Sequence, residues 1–314
     1  MQPIPGIHHI TAIAGDPQRN IDFYTGTLGL RLVKLTVNYD DPGTYHLYYG
    51  DGIGRPGTIL TFFPWRGVPQ GRSGAGEATT VAFSIPGNSL DYWKERLNAG
   101  EPLSRFNERY LRVADPDGMQ VELVAAAAPA TRPGWSEGAI PQEHAIRGIF
   151  GTALSVARLD GTKRLLAETM GFRETGRDGD RLRFEAGDGG PGGIVDLMES
   201  RQRGQQGAGS IHHIAWRTPD DHDQTAWRNH LVKAGMQVTP IIDRTYFHSI
   251  YYREPSGVLF EIATDPPGFA VDEPLESLGS KLVLPAWLEG QREELLRSLP
   301  ALTVSEPRAS GSVK

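Results

Sequence analysis

The chain repeats itself, and that repeat limits its fold more than any other feature. Ile7-His8-His9-Ile10-Thr11-Ala12 is answered by Ile149-Phe150-Gly151-Thr152-Ala153-Leu154. At the same spacing, the helical run Phe23 to Gly29-Leu30 is answered by Leu165 to Gly171-Phe172, each stopping at a glycine. A second pair is interleaved with the first: Ala78-Thr79-Thr80-Val81-Ala82-Phe83 matches Ile211-His212-His213-Ile214-Ala215-Trp216. Each of these leads into a helix expected to close on Ala-Gly, at Ala99-Gly100 and Ala234-Gly235. A turn and a strand follow, Asp115-Pro116-Asp117-Gly118 before Glu122 and Glu254-Pro255-Ser256-Gly257 before Glu261.

Four units of strand, helix and several strands result, at residues 6–65, 76–126, 147–199 and 209–264. Polar, Gly- and Pro-rich linkers separate them at Arg66–Ala75, Ala127–Ile146 and Arg201–Gly209. The fold class is α+β. By sequence the chain divides into a first pair of modules (1–146), a second pair (147–270) and an extension (271–314). In the extension a helix is expected around Trp287–Leu299, followed by a disordered polar end at Ser305–Lys314.

Composition narrows the function. A chain of 314 residues, 39% hydrophobic, is long enough for two domains with real cores. No run approaches a membrane span, and no signal peptide precedes Gly6, so a cytoplasmic protein is expected. The absence of cysteine excludes disulfides, thiolate ligands, iron–sulfur clusters and a cysteine nucleophile. A formal charge of -6 without a basic stripe argues against nucleic acid. The expected partners are small molecules and other copies of the chain, in a homo-oligomer.

The chemistry lies in two His-His-Ile runs and a third apolar strand carrying one carboxylate, Glu261. Imidazoles and a lone carboxylate are costly to bury unless something pairs them, and a divalent metal does so. Because side chains alternate along a strand, only one histidine of each pair is expected to face a given interior. The repeat is an internal control. Gly151 stands where the first module has His9, and Thr80 where the fourth has His213. Glu122 stands opposite Glu261, either as a relic or as the partner of an arginine.

This arrangement resembles the vicinal oxygen chelate superfamily of glyoxalases, bleomycin resistance proteins and extradiol dioxygenases, whose βαβββ modules curl in pairs around a metal. Within it the wording is similar to that of hydroquinone-type ring-cleaving dioxygenases. Gly6 to Thr11, Ser210 to Ala215, Asp243-Arg244-Thr245-Tyr246-Phe247, Ser249 to Pro255 and Phe260 to Asp265 carry the likeness. The resemblance implies His9, His213 and Glu261 as metal ligands, so modules one and four should enclose one site and leave the other half metal-free. It also implies Fe(II), although the same donors suit Zn(II) or Mn(II). A small aromatic substrate and O2 would be the reactants.

Around that centre the resemblance suggests Thr11, Tyr251 and Arg244 as pocket residues. Tyr251 or His212 would act as the acid, and Arg244 would hold a distal oxyanion or orient Tyr251. His8 and His212, pointing away by alternation, would lie behind the ligands. His248 is expected to face outward, and His46, His144, His222 and His230 to be structural or exposed. Two other activities compete: a glyoxalase-type isomerase or lyase, which normally uses four ligands, and a non-catalytic aromatic- or antibiotic-binding resistance protein.

Overall fold

The computed structural model describes residues 1–126 and 132–304. The expected polar end at Ser305–Lys314 and the start of the Ala127–Ile146 linker lie outside the described residues. The first module runs β1 (Ile7–Ala14), α1 (Pro17–Ile21), β2 (Arg31–Asn38), β3 (Asp41–Gly50) and β4 (Ile59–Pro64). Asp16 starts α1 by accepting the Arg19 amide at 2.8 Å, ahead of Pro17 in the first turn. A π-helical turn, Asp22–Thr27, prolongs α1 until Gly29, whose φ of 71° few other residues tolerate.

The second module comprises β5 (Glu77–Pro86), α2 (Leu90–Leu97), β6 (Leu103–Arg105), β7 (Glu108–Ala114) and β8 (Gln120–Ala126). Here the expected helix stop is corrected. Asn98, left-handed at φ 46°, ends α2 before Ala99-Gly100 is reached, because asparagine tolerates that conformation. The third module has β9 (Ile149–Val156), α3 (Leu159–Arg164), β10 (Arg173–Asp178), β11 (Arg181–Glu185) and β12 (Ile194–Glu199). The fourth has β13 (Ile211–Thr218), α4 (Asp221–Lys233), β14 (Ile242–Asp243), β15 (Phe247–Arg253) and β16 (Leu259–Pro267). In the extension, α5 (Arg292–Ser298) falls inside the stretch read as helical.

Two eight-stranded curled sheets form, with orders β14-β15-β16-β13-β1-β4-β3-β2 and β10-β11-β12-β9-β5-β8-β7-β6. Each βαβββ unit leaves one edge of its first strand unpaired. β1 closes that edge antiparallel on β13, and β5 does so on β9. Modules one and four therefore share a sheet, as do two and three, so each sheet draws one module from either side of residue 146.

Both central seams are bulged. Ile7 faces Trp216 while His9 faces Ala215, which leaves His8 as an extra residue; Thr11 faces His213 while Ala12 faces Ile211, which leaves His212 extra. The β5–β9 seam repeats this with Thr79 and Phe150 as the extra residues.

The extension straps the outside of module one. Lys34, wholly buried on β2, pairs with Asp272 and Glu273. Arg31 donates to the Glu276 carbonyl at 2.9 Å, and Tyr45 Oη to that of Pro300 at 2.8 Å. Among the described residues no helix is long and apolar enough to cross a membrane.

Candidate functional site

On the curled face of the first sheet, β1, β13 and β16 bring His9, His213 and Glu261 together. All three are buried, and their donor atoms lie within 4.8 Å of one another. Glu261 Oε2 is 2.9 Å from His213 Nε2 and 3.4 Å from His9 Nε2. Three donor atoms of metal-ligating type converge at close range, and among the described residues no lysine or arginine pairs with this carboxylate, which at zero exposure is costly to bury without a cation. The residues fit a divalent metal.

The atoms behind the donors are fixed as such a centre requires. His8 Nδ1 meets His9 Nδ1 at 2.9 Å, and His212 Nδ1 meets His213 Nδ1 at 2.8 Å, so both inner rings turn Nε2 toward Glu261. Ser249 donates to the other carboxylate oxygen, Glu261 Oε1, at 2.5 Å. Burial alone would raise the Glu261 carboxyl, yet the two imidazoles hold it well below the usual range. Burial lowers His8 and His213 as well, and takes His212 down to about 3. Neutral imidazoles and an ionised carboxylate are the protonation states in which these residues ligate.

One expectation fails here. His8 and His212 do not point away from their neighbours, because each is the extra residue of a bulge, where alternation lapses and consecutive side chains share a side. Each ring stands edge-on to the next histidine with centroids 5.1 Å apart. His212 in fact lines the cavity, while His8 packs behind it against Phe247.

The cavity is about 330 Å³. His9, His213, Thr11 and His212 line it, with aromatic walls from Tyr48, Phe63, Trp65 and Phe247. Tyr251 and Arg244 line another side, where Arg244 Nε donates to Tyr251 Oη at 3.2 Å. Arg244 also pairs with Asp40 at 3.0 Å. Burial, reinforced by Glu261, raises the Tyr251 hydroxyl above its ordinary pKa. Burial would lower Arg244, but Tyr251, Asp40 and Glu261 keep it firmly charged. The structure thus brings all eight candidate residues to this one region.

His46 was expected to be structural or exposed, and that is corrected too. It lines the cavity with Nε2 2.8 Å from Thr61 Oγ1. Sequence reasoning also missed Ser249, although it shares the strand parity of Tyr251, and Asp40, which sits in a turn with no local signal. The other histidines stay out of the site. His144 stacks on Tyr92 at 4.2 Å, His230 Nε2 meets the Thr169 carbonyl at 2.9 Å, His222 is exposed, and His248 pairs with Asp221 at 2.5 Å. In the second sheet Glu122 is the partner of arginines, contacting Arg105 and, at 2.9 Å, Arg112.

Comparison with known proteins agrees with this fold. The family model described as Glyoxalase/Bleomycin resistance protein/Dioxygenase superfamily matches residues 6–123 and 148–262. MhqO of Bacillus subtilis, provisionally named a ring-cleaving dioxygenase, is 46% identical over 96% of this chain and 97% of its own length. The chlorohydroquinone/hydroquinone 1,2-dioxygenase of Sphingobium indicum is 35% identical, over 94% of this chain and 96% of its own. A crystal structure from Bacillus subtilis, described provisionally as a dioxygenase, superposes with a TM-score of 0.93 at 45% identity, covering 98% of this chain and 100% of that one. With the repeat, the paired sheets and the family model in agreement over most of its length, the chain belongs to the glyoxalase/bleomycin resistance protein/dioxygenase superfamily.

Proposed function

We propose that this enzyme, a ring-cleaving dioxygenase, uses Fe(II) held by His9, His213 and Glu261 to open the ring of a hydroquinone-like phenol with O2. The observation that carries the reading is the convergence of three metal-ligating donors beside an aromatic-walled cavity. Two neutral imidazoles and one carboxylate leave a net charge near +1 and adjacent free positions. When bound there, the metal would supply Lewis acidity toward a phenol oxygen and a path for electrons to O2.

The chain's own residues do the rest. His8 and His212 hold the inner imidazoles in the tautomer that frees Nε2, and Ser249 fixes the carboxylate. Tyr251, kept protonated by burial and pinned by Arg244, is a proton donor for an oxygen in the cavity throughout the neutral range. Arg244 does so while sharing its charge with Asp40, which makes orientation of Tyr251 its first duty. The aromatic walls take a phenyl ring and exclude water. Mn(II) and Zn(II) suit the same donors, but Zn(II) cannot pass electrons.

A glyoxalase-type isomerase is disfavoured by the donor count, because only three candidate ligands cluster here among the described residues. The test is anaerobic reconstitution with Fe(II), then oxygen uptake on adding hydroquinones and catechols. Uptake with loss of the aromatic absorbance is expected. No uptake across the panel, despite stoichiometric iron, would sink the reading.

A further inference from the structure

One cavity residue is used neither by the three-donor centre nor by the Tyr251–Arg244 pair. His46 on β3 is clasped between Tyr48 and Phe63, with ring centroids 3.9 and 4.4 Å away. That clasp fixes the plane of its imidazole. Its Nε2 lies 2.8 Å from Thr61 Oγ1 on β4, and Thr61 donates to Thr11 Oγ1 on β1 at 3.0 Å. Thr61 and Thr11 are register partners across the parallel β1–β4 pair, and Thr11 is also the register partner of His213. Three strands therefore hand one hydrogen-bond chain from the cavity wall to the neighbourhood of the ligands.

The direction of that chain follows from donor counting. A hydroxyl has one proton to give. If Thr61 gives its proton to Thr11, its contact with His46 must be an acceptance, which requires the proton of His46 on Nε2. Thr11, having accepted, keeps its own proton for a group in the cavity it lines. We infer that His46 is a positioning residue: through Thr61 it sets the polarity of this chain, so that the Thr11 hydroxyl donates into the cavity beside His213. The inference rests on reading the cavity as the dioxygenase site. A fixed donor there stabilises negative charge developing on an oxygen of the substrate or of O2, without waiting for solvent to reorganise.

The second sheet supplies a control. Its register equivalents of His46, Thr61 and Thr11 are Arg181, Asp196 and Ala153. Arg181 and Asp196 touch at 3.4 Å, so the fold brings this cross-strand pair together in both halves. Only the half with the candidate centre makes the pair neutral and adds a third hydroxyl. Contact between the first two positions is a property of the fold, and the relay to Thr11 is peculiar to the site.

Two measurements test this on the full-length protein. The first is the imidazole tautomer of His46 by nitrogen-15 NMR in protein loaded with diamagnetic Zn(II), assigned by loss of the signal in His46→Phe. The proton is expected on Nε2; a proton on Nδ1 overturns the inference whatever the enzyme's activity. The second is steady-state kinetics of Fe(II)-loaded His46→Phe, which keeps the aromatic clasp, and of Thr61→Val and Thr61→Ser. His46→Phe and Thr61→Val should each lower kcat on the order of 10- to 100-fold at unchanged iron content, with KM moving far less. The double variant should be no worse than either single one, and Thr61→Ser should retain most activity. Multiplying effects, or a raised KM at unchanged kcat, would make His46 a mere wall of the cavity. If His46→Phe does not fold, Thr61→Val carries the kinetic arm, and its effect on the ring nitrogens identifies His46. A wild type that turns over no phenol defeats the ring-cleaving reading alone, and the tautomer still decides the chain.

Discussion

The two sheets share strand order, module plan and the two bulge positions of their central seams, yet they treat the same buried carboxylate in opposite ways. Glu261 and Glu122 occupy equivalent places, both wholly buried. Around Glu261 stand His9, His213, Tyr251 and Arg244; at the matching positions around Glu122 stand Gly151, Thr80, Arg112 and Arg105. Arg105 reaches inward to Glu122 and lies 3.6 Å from Asp196, which Arg183 holds at 2.8 Å. The hollow left there is about 10 Å³, against about 330 Å³ in the other sheet. Both halves thus satisfy the demand of a buried carboxylate for positive charge. One does so with side chains tethered to the fold, the other presents three donors that could hold an exchangeable ion. The difference teaches that the fold requires the carboxylate to be neutralised and leaves the means open.

The largest expected effect breaks the comparison on one side only. His9→Ala, His213→Ala or Glu261→Ala should abolish retention of metal, read by elemental analysis after desalting. Thr80→Ala should leave metal content unchanged. Metal lost on changing Thr80 in a folded protein would mean that the halves share a centre.

Next in size is the tethered cation. Arg105→Leu leaves Glu122 and Asp196 short of a partner in the interior, and breaking a buried pair costs about 3–5 kcal/mol. Urea denaturation should register that loss, offset in part by Arg112 and Arg183, while metal content stays at the wild-type value. Unchanged stability would show that the second sheet does not depend on its ion network.

Gly151 sharpens the point, because it explains why a second centre cannot be restored by one substitution. A Cβ there would lie 2.6 Å from the Ile194 carbonyl oxygen and 2.8 Å from Ile194 Cβ. Gly151→Ala should destabilise by about 1–3 kcal/mol through overpacking, seen as a lowered Tm at unchanged metal content. Neutral behaviour would mean that β12 can draw back from β9, and that His at this position is open to evolution.

Much of this contrast was readable in the residues alone. The repeat exposed the modules and the glycine at position 151, because strand parity and helix stops are local signals, and the pairing of first with fourth came from the ligand set that the family resemblance implies. Parity showed that one histidine of each pair faces inward, and the resemblance chose His9, His213 and Glu261. What stayed hidden depends on register. His8 and His212 were turned the wrong way because a bulge shows itself only against a partner strand. His46 meets Thr61 along a diagonal between β3 and β4, and no spacing within either strand announces that contact. Lys34 would pass for a solvated lysine until Asp272 and Glu273 arrive from the far end of the chain. Arg244 was legible as a pocket residue, but its tie to Asp40 joins the first module to the fourth and lies beyond any local pattern.

The smallest effect is a pH response of opposite sign in the two sheets. In the first, burial lowers the pKa of His8, His46, His212 and His213. A histidine that is harder to protonate when folded contributes stability above its unfolded pKa near 6.5, and that stability is lost as pH falls. In the second module burial raises carboxyls instead, Glu77 on β5 to about 7 and Asp115 in the turn after β7 to about 6. Those groups bind a proton more readily when folded. Their contribution is complete below the unfolded carboxyl range and is lost as pH rises through about 6–7. Between pH 7.5 and pH 5 the two sheets should therefore diverge in the metal-free protein. Hydrogen exchange, corrected for its intrinsic pH dependence, should show β1 and β13 losing protection toward pH 5 while β5 and β8 gain it. Loading the metal should shrink the first change and leave the second, since His213, once ligated, no longer takes up a proton. Parallel responses in both sheets would mean that they unfold as one cooperative unit, and the contrast in chemistry would then have no counterpart in local stability.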